Sequence, residues 1–207
     1  MVDELLLDKE SSLDQILIIA DSAYKISEKI NHKEGLIKSS LNVGKIHKIK
    51  RDFKTGLNYY LKAVSTAEEL NKPLLTTNAN KETANFYKEW KVGEKALSYY
   101  KKGLNIAKEN QKDEEIEAIL KYLSSTYQVN RDFTTAEKYY NELIDFYQER
   151  NDEKGRIAMF DKLLNLFSQA GNYDDALIVS TQLLEINKAK NDTEGTIDYL
   201  NKTGIIY

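Results

Sequence analysis

Arg51-Asp52-Phe53 recurs as Arg131-Asp132-Phe133 and, in the related form Gly171-Asn172-Tyr173, another 40 residues further along the chain. Lys91-Val92-Gly93 occupies the remaining position between them, so four short segments share a grid with a period of 40 residues. Self-similarity at a fixed period of this length indicates a repeat architecture, in which each unit packs on its neighbours.

Three other columns of residues fall on the same grid. They are the tyrosine pairs 59–60, 99–100 and 139–140, the small residues Gly56, Ala96, Ala136 and Ala176, and the turn residues Asn31, Asn71, Gln111, Asn151 and Asn191. These features in one register predict a single array over residues 1–207. Its full units are 31–70, 71–110, 111–150 and 151–190, with a partial unit at each end, 1–30 and 191–207.

Each unit contains the pattern of two helices. In the third full unit, Ile116, Ile119, Leu120 and Leu123 recur with the spacing of one helix face, and a polar break then precedes a second helix that starts at Thr134. The other helices are predicted at 12–30, 34–49, 54–70, 74–89, 94–109, 113–128, 153–169, 174–189 and 194–207.

Polar residues at the predicted helix starts are candidate N-caps. Asp113, Asp152 and Asp192 stand at or just before first helices, and Thr134 and Asp174 stand at second helices. An oxygen at these positions accepts hydrogen bonds from backbone N–H groups that have no partner inside the helix, and a carboxylate also meets the positive end of the helix dipole.

Composition agrees with an all-α protein. Only 9 glycines and 1 proline occur in 207 residues, too few for the many turns of a β-rich chain. The net charge of -3 argues against a dedicated nucleic-acid binder, and the lack of cysteine excludes disulfides and thiolate chemistry. The sequence contains no run of about 18 apolar residues, so no membrane span is predicted.

The repeat resembles the tetratricopeptide repeat. Leu41-Asn42-Val43-Gly44 with His47 fits the first helix of that family, Gly171–Leu177 is close to its consensus turn and second-helix start, and Leu200–Tyr207 looks like a first helix without its second. The resemblance implies a right-handed α-solenoid of antiparallel helix pairs, about ten helices in all. Because the pattern starts with a second helix and stops within a first helix, we expect the sequence to be an excised module of a longer protein.

The unit is longer than the usual repeat of about 34 residues. This length resembles the subgroup found in bacterial sensor kinases and peptide-pheromone regulators. Two positions also depart from the family consensus, with Leu164 in place of a small residue and Gly56 in place of alanine.

No catalytic, cofactor-binding or metal site is predicted. His32 and His47 are the only histidines and have no second ligand at metal-binding spacing, so packing or solvation is the more frequent role for such residues. The acidic clusters at 113–115, 152–153 and 174–175 lie at helix starts, where compensation of the dipole explains them.

In this family the first helices line the concave face. Register places eight lysines and four acidic residues at its outward positions, in a chain of net charge -3. We predict a peptide-binding surface there, whose members are Lys38, Asn42, Lys45, Lys81, Asn85, Lys88, Tyr122, Lys162 and Asn165. A solvated helix face is the simpler alternative.

Some relatives grip a peptide's C-terminal carboxylates with a clamp of lysine and asparagine. Lys81 and Asn85 match one part of it, but Tyr122 and Ala158 replace an expected asparagine and lysine, so binding of chaperone tails is not predicted.

These features lead to a hypothesis of a protein- or peptide-binding module without enzymatic activity. The leading host is a larger bacterial signalling regulator, in which the array serves as sensor or scaffold. The alternative is a stand-alone intracellular peptide-binding regulator of the pheromone-receptor type.

The expected partner is a protein or peptide, with acidic character, and neither nucleic acid nor membrane. If Met1 is the native start the protein is expected in the cytoplasm, and if the sequence is an excised sensor module the periplasm is an open alternative.

Overall fold

The computed structural model describes residues 2–195, 197 and 200, and throughout these the chain is helical with short turns and no strand. Its helices within the described residues are α1 Val2–Lys29, α2 Lys33–Ile49, α3 Phe53–Leu70, α4 Pro73–Glu89, α5 Gly93–Glu109, α6 Asp113–Val129, α7 Phe133–Glu149, α8 Glu153–Ala170 and α9 Tyr173–Ala189. The predicted all-α class is therefore confirmed.

Predicted and observed boundaries differ mainly at the two ends. The first helix begins at Val2 rather than near residue 12, because residues 2–11 contain good helix formers and neither glycine nor proline. Helical backbone resumes at Thr193–Gly195, but most of the helix predicted at 194–207 lies outside the described residues.

Every turn between helices is built the same way, with one residue in the left-handed backbone region. In the turn between α2 and α3, Arg51 has φ of 60°, and the amide of Asp52 donates to the carbonyl of His47 at 2.9 Å. This hydrogen bond closes the helix end, because it satisfies a carbonyl that has no partner inside the helix. The left-handed residues follow one another every 20 positions: Asn31, Arg51, Asn71, Lys91, Gln111, Arg131, Asn151, Gly171 and Asn191.

The N-caps lie immediately before the helices. Asp132 caps α7 by accepting from the amide of Thr135 at 3.1 Å, and Asn172 caps α9 by accepting from Asp175. The predictions that Thr134 and Asp174 cap these helices are wrong, since each turn is two residues shorter than expected and both positions are already helical.

Three predicted carboxylates stand where the sequence placed them. Asp152 accepts from the amide of Gly155 at 3.0 Å and Asp192 accepts from Gly195 at 2.9 Å, so both act as caps. Asp113 is the first residue of α6, whose opening turn is acidic, as the helix dipole favours.

The helices group into two compact units, residues 1–119 and 120–207, and the division falls inside α6. In the first unit α1 packs on α2, α2 on α3, α3 on α4 and α4 on α5. Helix α2 also contacts α4. In the second unit α8 packs between α7 and α9. The prediction of one array over residues 1–207 is not tested by this division.

Small residues let helices of one pair approach closely. A Cβ added to Gly44 would lie 2.9 Å from the Tyr60 ring and 3.3 Å from the carbonyl oxygen of Gly56. Ala96 and Ala136, which share the column of Gly56, have no exposed surface. Close backbone approach is therefore a property of this column in both units.

The paired tyrosines pack between helices and do not form an exposed stacking ladder. The first tyrosine of each pair stacks on a ring of the preceding first helix, with centroid distances of 5.9 Å for His47–Tyr59, 5.5 Å for Tyr87–Tyr99 and 5.7 Å for Tyr127–Tyr139. The second tyrosine of each pair is buried. Such ring pairs contribute about 0.5–1.5 kcal/mol beyond their burial.

The left-handed turn residues make a testable contribution to stability. Lys91→Gly is expected to raise the free energy of unfolding by roughly 0.5 kcal/mol. Relief of the left-handed conformation gains about 1–2 kcal/mol, and the greater freedom of glycine in the unfolded chain costs about 0.4–1 kcal/mol. Urea denaturation monitored by circular dichroism measures the change.

The matched control is Lys95→Gly, an exposed position inside α5, where glycine should cost about 1 kcal/mol. Equal destabilisation by both substitutions would contradict the role assigned to Lys91.

The small-residue column gives a second prediction. Ala136→Asp places an unpaired carboxylate at a fully buried position and should lower the free energy of unfolding by several kcal/mol. Asn141→Asp introduces the same charge at an exposed position of the same helix and should change it by less than about 0.5 kcal/mol. Thermal melts of the two variants distinguish them, and an unchanged melting temperature for Ala136→Asp would show that the register is wrong.

Candidate binding surface on the first helices

In residues 1–119, α2 and α4 are the first helices of neighbouring repeats and contact each other. Their outward polar side chains form what we call the basic face: Lys38, Asn42, Lys45, Lys48, Lys81, Glu82, Asn85, Lys88 and Glu89. Five lysines against two glutamates leave this set with a charge of +3, whereas the whole chain carries -3. The predicted excess of positive charge is present on one surface.

Two ion pairs cross the basic face from α2 to α4. Lys45 Nζ lies 3.3 Å from Glu82 Oε2, and Lys48 Nζ lies 2.7 Å from Glu89 Oε1. Sequence reasoning counted these acids but did not foresee the pairs, because each joins residues about 40 positions apart. One member of each pair is exposed and the other is partly buried. Ion pairs near the surface contribute about 0–1 kcal/mol each, so a stronger anionic partner can compete for the lysines.

Asn85 is held in a defined orientation by the second helix behind it. The hydroxyl of Tyr100, which is buried, donates to the side-chain oxygen of Asn85. Because the amide group is planar, its nitrogen points away from Tyr100. Of the other predicted binding residues in this unit, Lys38, Asn42 and Lys88 are exposed and Lys81 is half-buried.

In residues 120–207 the corresponding surface carries a network of amide side chains. The Tyr140 hydroxyl donates to Gln128 Oε1 at 2.7 Å, and Gln128 Nε2 donates to Asn165 Oδ1 at 3.0 Å and to Gln169 Oε1 at 3.1 Å. Gln169 Nε2 also donates to Asn165 Oδ1 at 2.9 Å. We call these four residues the amide network. Two other predicted residues of this unit lie outside it, Tyr122 half-buried and Lys162 exposed.

The amide network uses the same grid columns as one of the ion pairs. Lys48 to Glu89 and Gln128 to Gln169 both span 41 residues, so the two contacts join equivalent positions of consecutive repeats. The predicted binding residues include Asn165 but not Gln128 and Gln169, although register places both glutamines at outward positions of the first helices. The contact between them was not foreseen, because the column that holds the charged pair Lys48 and Glu89 holds a neutral pair here.

A cavity of about 420 Å³ opens beside the amide network, within the size range of small-ligand sites. It is lined by Gln128, Val129, Arg131, Phe133 and Gln169. Val129 is 81% exposed, and the Arg131 guanidinium lies 5.7 Å from the centre of the Phe133 ring. The wall of this cavity therefore combines apolar groups with hydrogen-bonding groups.

Burial controls the ionisation of the tyrosines behind these surfaces. It raises the pKa of Tyr140, so this hydroxyl remains a hydrogen-bond donor over the ordinary pH range. Burial also raises the pKa of Tyr60, and the negative charges of Glu82 and Glu89 raise it further. Both hydroxyls therefore act as neutral groups.

Neither histidine lies in a catalytic arrangement among the described residues. His32 caps α2 by accepting from the amide of Gly35 at 3.2 Å, and His47 stacks on Tyr59 with its Nδ1 3.2 Å from Asp52 Oδ2. Hydrogen bonds from Thr55, and then the neighbouring His47, hold the pKa of Asp52 below its usual value. Within the described part of the chain, no group of three potential metal-ligating side chains occurs.

Within the described residues, none of the helices contains an apolar stretch long enough to cross a membrane.

Comparison with solved structures finds helical-repeat proteins. The chain is similar to BtubC (BKLC) from P. vanneervenii, with 20% identity, a TM-score of 0.64, and coverage of 94% of this chain and 90% of that one. It is also similar to a Signal Transduction ATPase with Numerous Domains (STAND) protein with a tetratricopeptide repeat sensor from Pyrococcus horikoshii. That match has 15% identity and a TM-score of 0.66, and covers 96% of this chain but 31% of that one.

A third similar structure is a Rap protein complexed with Competence and Sporulation Factor. Its identity is 13% and its TM-score 0.60, over 92% of this chain and 57% of the Rap protein. Identities this low show the fold alone, and the fold is that of the tetratricopeptide repeat, as the sequence predicted. No protein-family profile matches the chain, and no curated protein matches it by sequence.

The amide network makes a prediction about stability. Tyr140→Phe removes the hydroxyl that donates to Gln128 and should lower the free energy of unfolding by about 1 kcal/mol. Tyr173→Phe, at an exposed tyrosine of the same unit, should change it by less than about 0.5 kcal/mol. Urea denaturation gives both values.

Coupling between the two partners tests the hydrogen bond itself. In a Gln128→Ala background, Tyr140→Phe should cost measurably less than in the native chain, because the two effects share one interaction. Strict additivity would argue against the contact.

Proposed function

We propose that this tetratricopeptide-repeat array is a protein-interaction module that binds a peptide segment of acidic character along the basic face. The observation that carries the proposal is the charge of +3 on that face in a chain whose net charge is -3. Opposite charge on a ligand accelerates encounter and suppresses binding of basic competitors. The STAND protein has a tetratricopeptide repeat sensor, and the Rap protein is complexed with Competence and Sporulation Factor, which supports the proposal by analogy of fold.

The basic face offers two kinds of contact to such a segment. Lys38, Lys45, Lys81 and Lys88 supply positive charge, and a ligand carboxylate that replaces Glu82 at Lys45 keeps that lysine paired. Asn42 and Asn85 offer amide groups that donate to and accept from a peptide backbone. Because the Tyr100 hydroxyl already occupies the oxygen of Asn85, that residue acts chiefly as a donor.

In residues 120–207, Tyr122, Lys162 and Asn165 are proposed as further peptide contacts. Asn165 is held by Gln128 and Gln169, so its position is set before a ligand arrives. Preorganisation of this kind lowers the entropic cost of binding. The contacts here are mainly neutral, and we expect them to contribute affinity that depends little on salt.

We further propose that the array is the sensory or scaffolding part of a larger bacterial signalling regulator. The match to a repeat sensor that occupies part of a much longer ATPase supports this host. A stand-alone intracellular peptide-binding regulator is the second candidate, supported by the match to the Rap protein. The complete reading frame distinguishes them, because the first requires an output domain.

Binding rather than catalysis is the proposed activity. The histidines serve as a helix cap and a packing group, and the acids at helix starts serve as caps or compensate the dipole. Nucleic acid is a poorer fit to the basic face than an acidic peptide, since Glu82 and Glu89 lie within it and its nine positions include no arginine for bidentate base contacts.

The test uses a phage-displayed library of random peptides. Selection on the native chain should enrich peptides rich in aspartate and glutamate, and a synthetic copy of one such peptide should bind in a fluorescence-anisotropy titration. The triple variant Lys45→Glu, Lys81→Glu, Lys88→Glu should weaken binding by more than about tenfold, or roughly 1.4 kcal/mol. Raising the salt concentration should weaken binding to the native chain.

The control is Lys54→Glu, Lys62→Glu, Lys95→Glu, which makes the same change of charge at exposed positions of the second helices α3 and α5. It should reduce binding far less than the first triple variant. Equal losses of peptide affinity in the two triple variants would show that only net charge matters. Undiminished binding of the peptide to the Lys45→Glu, Lys81→Glu, Lys88→Glu variant at low salt would exclude the basic face as the site.

A further inference from the structure

The cavity of about 420 Å³ beside the amide network has an equivalent place two repeats earlier in the chain. Its wall consists of two glutamines, a valine, an arginine and a phenylalanine. These residues, Gln128, Val129, Arg131, Phe133 and Gln169, correspond 80 positions earlier to Lys48, Ile49, Arg51, Phe53 and Glu89. Because arginine and phenylalanine occur at both places, the residues that differ around them indicate what each place accommodates.

In residues 1–119 an indole covers the phenylalanine. The ring of Trp90 stacks on Phe53, with centroids 5.7 Å apart and an interplanar angle of 4°. The same indole also lies 5.7 Å from the Phe86 ring and 6.2 Å from the Tyr87 ring. Offset stacking of this kind is a favoured arrangement of aromatic rings. A planar aromatic ring is therefore what this fold places on the phenylalanine of this column.

In residues 120–207 the covering ring is replaced by a methyl group. The residue 80 positions after Trp90 is Ala170, the last residue of α8, and it is exposed. None of the described residues stacks an aromatic ring on Phe133. Since the cavity is lined by the same columns that surround Phe53, it corresponds by register to the space that the Trp90 indole takes in the first unit.

The charge of the wall also changes between the two places. The equivalent place in the first unit includes Glu89, whereas here the same column holds the neutral Gln169. Arg131 is the one charged residue of the cavity wall, and no carboxylate among the described residues pairs with its guanidinium. A guanidinium binds a carboxylate through two parallel hydrogen bonds, so a ligand carboxylate is the polar group that this wall matches best.

The amide of Gln169 presents further hydrogen-bonding groups at a fixed position. Its Oε1 accepts from Gln128 Nε2 at 3.1 Å, and its Nε2 donates to Asn165 Oδ1 at 2.9 Å. A side-chain amide has two N–H donors and an oxygen with two lone pairs, so one donor and one lone pair stay available for a ligand. Because the amide network already orients Gln169, a ligand gains these contacts at a low entropic cost.

We propose that this cavity binds a small ligand in which a planar aromatic ring carries a carboxylate. The ring stacks on Phe133, as Trp90 stacks on Phe53, and packs against the exposed side chain of Val129. The carboxylate pairs with the Arg131 guanidinium, which lies 5.7 Å from the centre of the Phe133 ring. The cavity is near the lower end of the range of about 300–1,000 Å³ for small-ligand sites, which suits a ligand of one or two fused rings.

This ligand is distinct from the acidic peptide proposed for the basic face. No residue of the basic face lines the cavity. Failure of the peptide proposal therefore leaves this one untouched, and the reverse also holds.

The experiment is an NMR titration of the methyl-labelled chain with indole-3-propionate. A ring stacked on Phe133 should shift the methyl signals of Val129 in a saturable way, with a dissociation constant in the millimolar range that is usual for so small a ligand. The methyl signals of Ile49, in the same column of the first unit, should not shift, because the indole of Trp90 already covers Phe53 there.

Two analogues of the probe separate the features that the cavity recognises. Indole-3-propionamide retains the ring but has no charge, and it should bind about tenfold more weakly because it cannot form the charge-assisted pair with Arg131. The anion 3-cyclohexylpropionate retains the charge but has no aromatic face, and it should bind several-fold more weakly.

The cavity can be filled by restoring the residue of the first unit. Ala170→Trp should place an indole on Phe133 and weaken binding of indole-3-propionate by more than about tenfold. The matched control is Ala189→Trp, which adds the same side chain at the exposed last residue of α9 and should bind the probe like the native chain.

A second variant tests the charge without changing the shape of the cavity floor. Arg131→Gln should abolish the preference for indole-3-propionate over its amide. Arg51→Gln makes the same substitution at the equivalent left-handed position of the first unit and should leave that preference intact.

Three outcomes would overturn the proposal. The first is the lack of any saturable shift of the Val129 methyl signals with indole-3-propionate. The second is equal affinity of the acid and its amide for the native chain. The third is equal affinity of the probe for Ala170→Trp and Ala189→Trp when circular dichroism melts show that both variants are folded.

Discussion

The structure depends on one backbone device, the turn of two or three residues with a left-handed residue every 20 positions. In eight of the nine described turns an amide donates to a carbonyl five residues earlier, as Asp52 does to His47, which ends one helix and starts the next in the opposite direction. Equal spacing of the turns makes helices of nearly equal length. Because the helices are nearly equal in length, equivalent side chains of successive repeats lie in columns. Each pair of helices therefore packs through the same columns.

The columns carry chemistry as well as packing. The column that begins with Lys48 forms an ion pair with the next repeat in residues 1–119 and an amide contact in residues 120–207. Backbone geometry therefore fixes where side chains meet, and the choice of residue at each repeat decides whether the contact is ionic or neutral. A surface of this kind changes its specificity through single substitutions and leaves the core intact.

Much of the fold was predictable, because its signals are local and each is repeated three times or more. Helix positions, turn positions and the buried small-residue column all follow from the 40-residue period. The errors were local too: Thr134 and Asp174 were assigned as caps because a polar residue near a helix start is ambiguous by two positions until the turn length is known. The site was only half predictable. Lys45 and Asn85 lie on the expected face, but the partners Glu82 and Tyr100 come from other helices.

The sequence by itself determined the all-α repeat, its period, the residues that end each helix, and the positive charge on the first helices. These are properties of composition and of spacing along the chain, and spacing within one helix converts directly into a face. The tertiary structure alone decided the contacts between helices: the ion pairs from α2 to α4 and the hydrogen bond from Tyr140 to Gln128. Each depends on side-chain atoms meeting to within an ångström, which is not encoded in the spacing of residues along the chain.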